Sequence, residues 1–388
     1  MSQTKISARE LEARHLVQVY GQLPIEPDRA QGVYLHCGKR RIIDFYGGHA
    51  VAALGYAHPA MLATLEEQAR SLLFQSNAVP LRVRAKAAET LARFSPSGLD
   101  HVFFVNSGAE ANENALRIAC RLTGRSRIAA IEHGFHGRTA AAGAVTWGAA
   151  RWYGFPRTPF DVDFIPRNDP AAIDTAITDD TAAVIMELVQ GVAGAFDLDP
   201  AFARAVAAAC VAKGALLIID EVQSGLGRCG QPFATDLYGL RPDILTAAKS
   251  LAGGFPCGAV IVTAAVSADL GLGDLGSTFG GGPLACALLT TVIEVIEKED
   301  LMANVRERYA QLADACPIGP VESIQGRGFL LGLRCRPAAT QVRDELLESN
   351  ILVGTSVDPQ VIRLLPPLIL DDQQMTTLID NLAGLPEA

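Results

Sequence analysis

The chain has 388 residues, 49% hydrophobic and 19% charged, with a formal net charge of −9. That length exceeds one small core and suits a large domain with a smaller one, and the composition excludes wholesale disorder. An acidic chain without a basic stripe is not expected to bind nucleic acid, and any anionic substrate needs local arginines.

None of the eight cysteines lies in a C-x-x-C pair, and several sit in alanine-rich or aliphatic stretches. They read as reduced thiols, neither a disulfide framework nor a zinc site, and no metal is expected. The opening MSQTKISARELEARH is polar, unlike a signal peptide. The apolar runs are interrupted by Asp, Glu, Arg or Gly, so none reaches the ~20 residues of a membrane span. The expected location is the cytoplasm.

In chain order, GVYLHCGKRRIIDF reads as a hairpin. HVFFV (101–105) is a short apolar strand, and AEANENALRIACRL after it has helical spacing. RIAAIE (127–132), TAAVIMELV (181–189), ALLIID (215–220), DILTAA (243–248) and GAVIV (258–262) continue as strands, with a helix over AFARAVAAACVAKG. Near-continuous apolar strands between helices predict a mainly parallel sheet covered on both faces. After Pro283 the pattern changes. PLACALLTTVIEVIEKED is a helix, and a more polar one follows from about Met302. GFLLGLRC, ILVGTS and VIRLL read as strands, with helices near 338–349 and 371–384. The expected organisation is a large α/β domain over 44–282 and a smaller α+β domain made of 1–43 plus 283–388.

A few residues stand where chemistry could be done. Asp220 ends the apolar run ALLIID, where a buried carboxylate is costly unless a cationic N–H or other donor meets it. An aspartate capping the next turn fits that position as well. Lys249 lies between DILTAA and the glycine-bearing SLAGGFPCGA. Partial burial there would lower its pKa and make the amine nucleophilic, while a lysine snorkelling from the strand end is the alternative. Ser107, Gly108 and Ala109 join a strand to a helix. Such a junction offers free N–H groups and a positive helix end to an anion, or is an ordinary N-cap. In the run FHGR, Phe135 could stack on a planar group and Arg138 could bind a carboxylate bidentately. Arg363 is a lone cation in VIRLLPPLIL, an outward-facing strand position if it has no ligand.

Order and spacing are more specific than any one of these residues. The segments NSGAEANENALRIA, IIDEVQSGLGR, DILTAAKSLAGGFPCGA and GSTFGGGPLACA, with Lys249 29 residues after Asp220, together resemble the class III, fold-type I aminotransferases of the acetylornithine/ornithine aminotransferase family. The resemblance runs nearly end to end, from YGQLPI to VIRLLPPLIL. It implies pyridoxal 5′-phosphate as cofactor and a homodimer with shared active sites. It also implies ping-pong transfer of a terminal amino group from an ω-amino acid, N-acetylornithine first and ornithine next, to 2-oxoglutarate. The alternatives are an ω-amino acid:pyruvate transaminase, an aminomutase or decarboxylating transaminase on the same scaffold, and a cofactor-binding regulatory relic. Intact Asp220, Gln223 and Lys249 speak against the relic.

At matching positions the resemblance implies roles. Lys249 is the Schiff-base lysine and proton shuttle, and Asp220 pairs with the pyridine nitrogen. Val222 and Phe135 pack on the two ring faces, and Gln223 approaches the ring hydroxyl. Ser107, Gly108 and Ala109 hold the phosphate, while His136 and Glu187 lie beside the cofactor. Thr278 reaches the phosphate of the neighbouring subunit. Arg138 holds the distal carboxylate of the substrate and Arg363 the α-carboxylate of glutamate. Tyr20 and His49 face the substrate.

The chain departs from the family pattern in places. The strand motif usually written EPxQGE reads Glu187-Leu188-Val189-Gln190-Gly191-Val192, so the second glutamate, which pairs with the arginine matching Arg363, is Val192. His49 stands where an aliphatic residue or tyrosine is common, Ala53 where asparagine is, and Gly282 replaces the asparagine of GGNP. With Val192, Arg363 is expected to stay available to an α-carboxylate unless another acid pairs with it.

Overall fold

The structure, a computed structural model, describes residues 6–387. A seven-stranded sheet forms its centre, in the order Leu99–Val105, Gly258–Thr263, Ile244–Ala247, Leu216–Asp220, Thr181–Met186, Arg127–Ile131, Asp161–Ile165. Only Gly258–Thr263 runs against its neighbours; the remaining pairs are parallel. The mostly parallel sheet expected from the apolar runs is therefore present. Alternate residues explain why those runs are continuous. Ile218, Ile185 and Ile128 pack with Ala111, Ala115 and Ala119 of the helix Gly108–Thr123. Leu217, Ile219 and Val184 pack with Phe202, Ala203 and Val206 of the helix Pro200–Lys213. A strand covered on both faces has no solvent side on which to place polar residues.

Among the strands not foreseen are two longer edge strands. Asp161–Ile165 is an edge strand of the large sheet, and Val321–Arg327 an edge strand of a four-stranded sheet completed by Leu330–Cys335, Val361–Leu364 and Gly354–Thr355. Edge strands face water, and their sequences, DVDFI and VESIQGR, carry the polar residues that hide the apolar signal. The strand expected over 181–189 stops at Met186; Val189–Gln190 instead pairs with Phe196–Asp197. The N-terminal hairpin Tyr34–Cys37/Arg40–Asp44 forms in register, and Ile351–Leu352 joins it in parallel. Among the described residues, no helix is long and apolar enough to cross a membrane.

The chain leaves that hairpin through an unusual turn. Gly47, Gly48, His49 and Ala50 are all left-handed, with φ of 53°, 57°, 65° and 67°. Asp44 starts the turn by accepting the N–H groups of Tyr46 (2.7 Å) and Gly47 (2.9 Å) on one carboxylate oxygen. Its other oxygen accepts the Tyr56 hydroxyl at 2.5 Å. A Cβ on Gly47 would lie 2.5 Å from the Leu365 carbonyl oxygen, so close approach and positive φ both require glycine there. At Gly38, φ is 59° but a Cβ would meet open space. Gly38→Ala should therefore lose only the left-handed penalty, about 1–2 kcal/mol. Gly47→Ala should lose clearly more, read as a larger fall in apparent melting temperature; equal losses would show that the turn has room.

Candidate active site

The strands Leu216–Asp220 and Ile244–Ala247 are neighbours, with Asp220 opposite Thr246. Their C-terminal ends carry Asp220 and, two residues past Ala247, Lys249. Both side chains border a cavity of about 460 Å³ that the N-terminus of the helix Gly108–Thr123 also enters. Ligands of parallel sheets lie at such strand ends, where helix N-termini converge.

Asp220 is buried, and its surroundings show how. One oxygen accepts Asn112 Nδ2 at 2.7 Å and His136 Nδ1 at 2.8 Å; the other accepts the Val222 N–H at 2.9 Å. Asn112 is itself fixed, accepting the Thr246 hydroxyl at 2.6 Å and donating to the His136 carbonyl at 2.8 Å. Glu187 lies close by and accepts the Phe135 N–H at 2.8 Å. Burial, aided by the Asp220 carboxylate, pushes its carboxyl up to about 7. Burial also lowers the pKa of Lys249, against the pull of Asp220 and Glu187. Its backbone is left-handed, φ 50°, a strained conformation that persists when the surroundings over-determine it.

At the helix end, Ser107 accepts the Glu110 N–H on its hydroxyl and leaves the Gly108 and Ala109 N–H groups free of that cap. Gly108 has no alternative, because a Cβ would lie 2.6 Å from a methyl of Val222. At Gly191 a Cβ would meet the Gln223 amide oxygen at 1.7 Å, so a side chain there would displace Gln223 from its present position. The donor set is thus a nucleophilic amine, a carboxylate with capacity for another donor, and an N–H cradle with a helix dipole. It fits pyridoxal phosphate, whose aldehyde, ring nitrogen and phosphate need those three groups.

Of the residues singled out in the sequence, Ser107, Gly108, Ala109, Phe135, His136, Arg138, Glu187, Asp220, Val222, Gln223 and Lys249 all border the cavity. Arg363, which is buried, and His49, which is exposed, do not border it. The Gln223 amide donates to the His49 carbonyl at 3.2 Å, and Arg363 Nη2 to the Tyr46 hydroxyl at 2.8 Å. Tyr20 and Thr278 are exposed and do not line the cavity. Sequence reasoning missed Asn112, Thr246 and Tyr46. Asn112 carried a signal, as a polar residue on the helix face otherwise made of Ala111, Ala115, Leu116 and Ala119.

Phe135 and Arg138 also border a second cavity of about 590 Å³, with Arg151, Arg167, His133 and Val192 in its wall. Arg138 stacks on Trp152 at 4.6 Å and Arg167 on Phe196 at 4.1 Å. Among the described residues, none of the three arginines has a carboxylate within ion-pair distance. The local cations that an acidic chain needs for an anionic substrate are present here.

The profile of the family described as aminotransferase class-III matches residues 17–385. The acetylornithine aminotransferase of Methanosarcina acetivorans is 37% identical over 383 residues, covering 97% of this chain and 95% of its own. Acetylornithine aminotransferase 1 of Bordetella bronchiseptica is 37% identical over 384 residues, covering 95% and 97%. Among solved structures, the ornithine aminotransferase of Toxoplasma gondii ME49 superposes with a TM-score of 0.91 at 28% identity, covering 98% and 95%. The acetylornithine aminotransferase of Elizabethkingia anophelis gives 0.87 at 28% identity, covering 97% of each chain.

Borohydride reduction of the protein loaded with pyridoxal phosphate, followed by peptide mapping, should leave the cofactor mass on the peptide that contains Lys249. Lys249→Ala should carry none; label on another lysine would remove Lys249 from the site.

Proposed function

The chain belongs to the class III aminotransferase family, and from that premise we propose that it moves the terminal amino group of an ω-amino acid to 2-oxoglutarate, with N-acetylornithine the first-choice donor and ornithine the next. It is a pyridoxal-phosphate-dependent transaminase, acting on an amino donor and a 2-oxo acid. The single observation that carries the reading is the convergence of Lys249, Asp220 and the Gly108 helix end on one cavity.

Bound pyridoxal phosphate supplies an electron sink for the carbon that gains or loses nitrogen. The chain's residues do the rest. Asp220 keeps a proton on the ring nitrogen, and Asn112 and His136 hold its carboxylate in place while doing so. Ser107, Gly108 and Ala109 would receive the phosphate, Val222 and Phe135 would cover the ring faces, Gln223 would meet the ring hydroxyl, and Glu187 and His136 would stand beside them. Lys249 Nζ, its pKa lowered by burial, would hold the cofactor and serve as the proton carrier for the reacting carbon. Arg138 takes the distal carboxylate of the ω-amine donor, and Arg363 the α-carboxylate of glutamate.

The proposal extends to assembly. Leu73, Phe74, Phe255 and Phe279 are exposed in the single chain, yet line one apolar cavity that shares Asn106, Phe255 and Pro256 with the cofactor cavity. Tyr20, Val17 and Val19 are likewise uncovered. Apolar surface next to a site is typical of subunit contact, and supports a homodimer in which Thr278 serves the partner's phosphate and Tyr20 a substrate. The proposed domain division is 44–282 against 1–43 plus 283–388, since Ile351–Leu352 extends the N-terminal sheet.

A panel of N-acetylornithine, ornithine, 4-aminobutyrate and β-alanine against 2-oxoglutarate and pyruvate tests the donor. The expected highest kcat/KM is for N-acetylornithine with 2-oxoglutarate; a simple ω-amine with pyruvate in first place overturns it. Asp220→Asn should still capture the cofactor but lose turnover by orders of magnitude, because a neutral ring nitrogen is a poor electron sink. Near-normal turnover would refute its role. The loaded protein should sediment as a dimer, and Thr278→Ala should weaken cofactor retention; an active monomer contradicts the shared site.

A further inference from the structure

Arg363 is 7% exposed and lies on the strand Val361–Leu364. Every hydrogen bond it makes goes to a neutral oxygen: Nε to the Thr355 carbonyl at 2.8 Å, Nη1 to the Gly191 carbonyl at 3.1 Å, and Nη2 to the Tyr46 hydroxyl at 2.8 Å. No carboxylate of the described residues is within ion-pair distance of it. A buried guanidinium with only neutral partners has much to gain from an incoming carboxylate. Two of the three acceptors are backbone carbonyls in the frame of the fold. The Tyr46 hydroxyl is the one on a rotatable side chain.

Tyr46 is in turn oriented. Its oxygen accepts from Arg363 and lies 2.8 Å from His49 Nδ1, with the rings edge to face at 4.8 Å. Burial raises the phenol pKa and lowers that of the imidazole, which Arg363 and Lys249 lower further. With both rings neutral, the phenol oxygen that accepts Arg363 has its own proton to give to Nδ1, in the tautomer that carries the imidazole proton on Nε2. The chain of contacts runs from guanidinium to phenol oxygen and from phenol to imidazole. The His49 side chain is exposed, and its backbone is held where the left-handed turn meets the cofactor loops. The His49 carbonyl accepts Gln223, and the Ala50 carbonyl accepts the Ser250 hydroxyl at 2.8 Å.

We propose that Tyr46, aimed by His49, is the exchangeable cover of Arg363: it masks the guanidinium when the ω-amine donor is bound and yields it to the α-carboxylate of the second substrate. The inference rests on the two-substrate reading above. It assigns a specificity role to Tyr46 and a positioning role to His49, in a chain whose Val192 supplies no acid. A neutral cover releases the cation more readily than a carboxylate does, so the chain is expected to use α-amino acids well.

The test is the pair of half-reactions of the holoenzyme, followed by the cofactor absorbance in single turnovers with L-glutamate and, separately, N-acetylornithine. Tyr46→Phe removes the acceptor and keeps the ring. The ratio of the glutamate to the N-acetylornithine second-order rate constant should rise about tenfold, the worth of one hydrogen bond to a charged group. His49→Leu should move the ratio the same way by a smaller factor, and His49→Asn, which can still accept from the phenol, should return part of it. The double variant Tyr46→Phe/His49→Leu should match Tyr46→Phe alone, since the two act as one unit. A fall in both half-reactions by one common factor, with the ratio within twofold of wild type, would make Tyr46 merely structural and overturn the proposal. Wild type that ignores N-acetylornithine sinks only the donor assignment; the same ratio is then read with the ω-amine it accepts.

Discussion

A carboxylate buried at the end of a central strand is the constraint from which the site is built. Asp220 has apolar residues before it and is flanked by two further buried strands, so its charge must be met by hydrogen bonds or lost. The fold meets it from three directions. Asn112 comes from the helix Gly108–Thr123, His136 from the loop after Arg127–Ile131, and the Val222 N–H from the turn that follows. Those contacts fix the helix whose N-terminus faces the cavity and the loop that carries Phe135 and Arg138. One buried charge thereby sets the positions of groups far apart in sequence, and a preorganised charge of this kind acts without reorganising during reaction.

Some of the backbone strain lies at or beside the same cavity. Lys249, His49 and Ala50 are non-glycine residues with positive φ, and Gly137 at φ 137° has Ala109 within 2.7 Å of its missing Cβ. Strain of about 1–3 kcal/mol per residue persists only where neighbours enforce it. Here the enforcing groups are Gln223 and Ser250, which lie within three residues of Asp220 or beside Lys249. The turn that carries His49 and the loops that carry the chemistry therefore hold one another, and neither is free to relax alone.

Electrostatics follow from the contrast between the whole and the site. The net charge is −9, yet Arg138, Arg151 and Arg167 gather in one wall and Arg363 is buried. Stacking on Trp152 and Phe196 covers the faces of two of these guanidinium groups and leaves their N–H edges for anions. Arg363 is handled differently. Its neutral partners satisfy its geometry without cancelling its charge.

The strand and helix periods were legible because burial on both faces leaves only apolar residues, so the central strands and their helices could be read directly. The polar edge strands could not, since an edge exposes one row to water. Candidate chemical groups were also legible. Asp220, Lys249, Gly108 and Arg138 are each ambiguous by position alone; their order and spacing, matched to a known family, singled them out together, and the fold brings all four to one cavity. By the same resemblance Val192 stands where the family carries an acid. Which groups meet Arg363 was beyond the sequence. Tyr46 and Arg363 are 317 residues apart, and nothing local to either shows that a left-handed turn at 47–50 brings a phenol against a guanidinium, or that Asn112 and Thr246 lock Asp220. Local pattern decides what faces the core, because that depends on neighbours in sequence; which buried polar groups satisfy one another depends on neighbours in space, and only the tertiary structure chooses them.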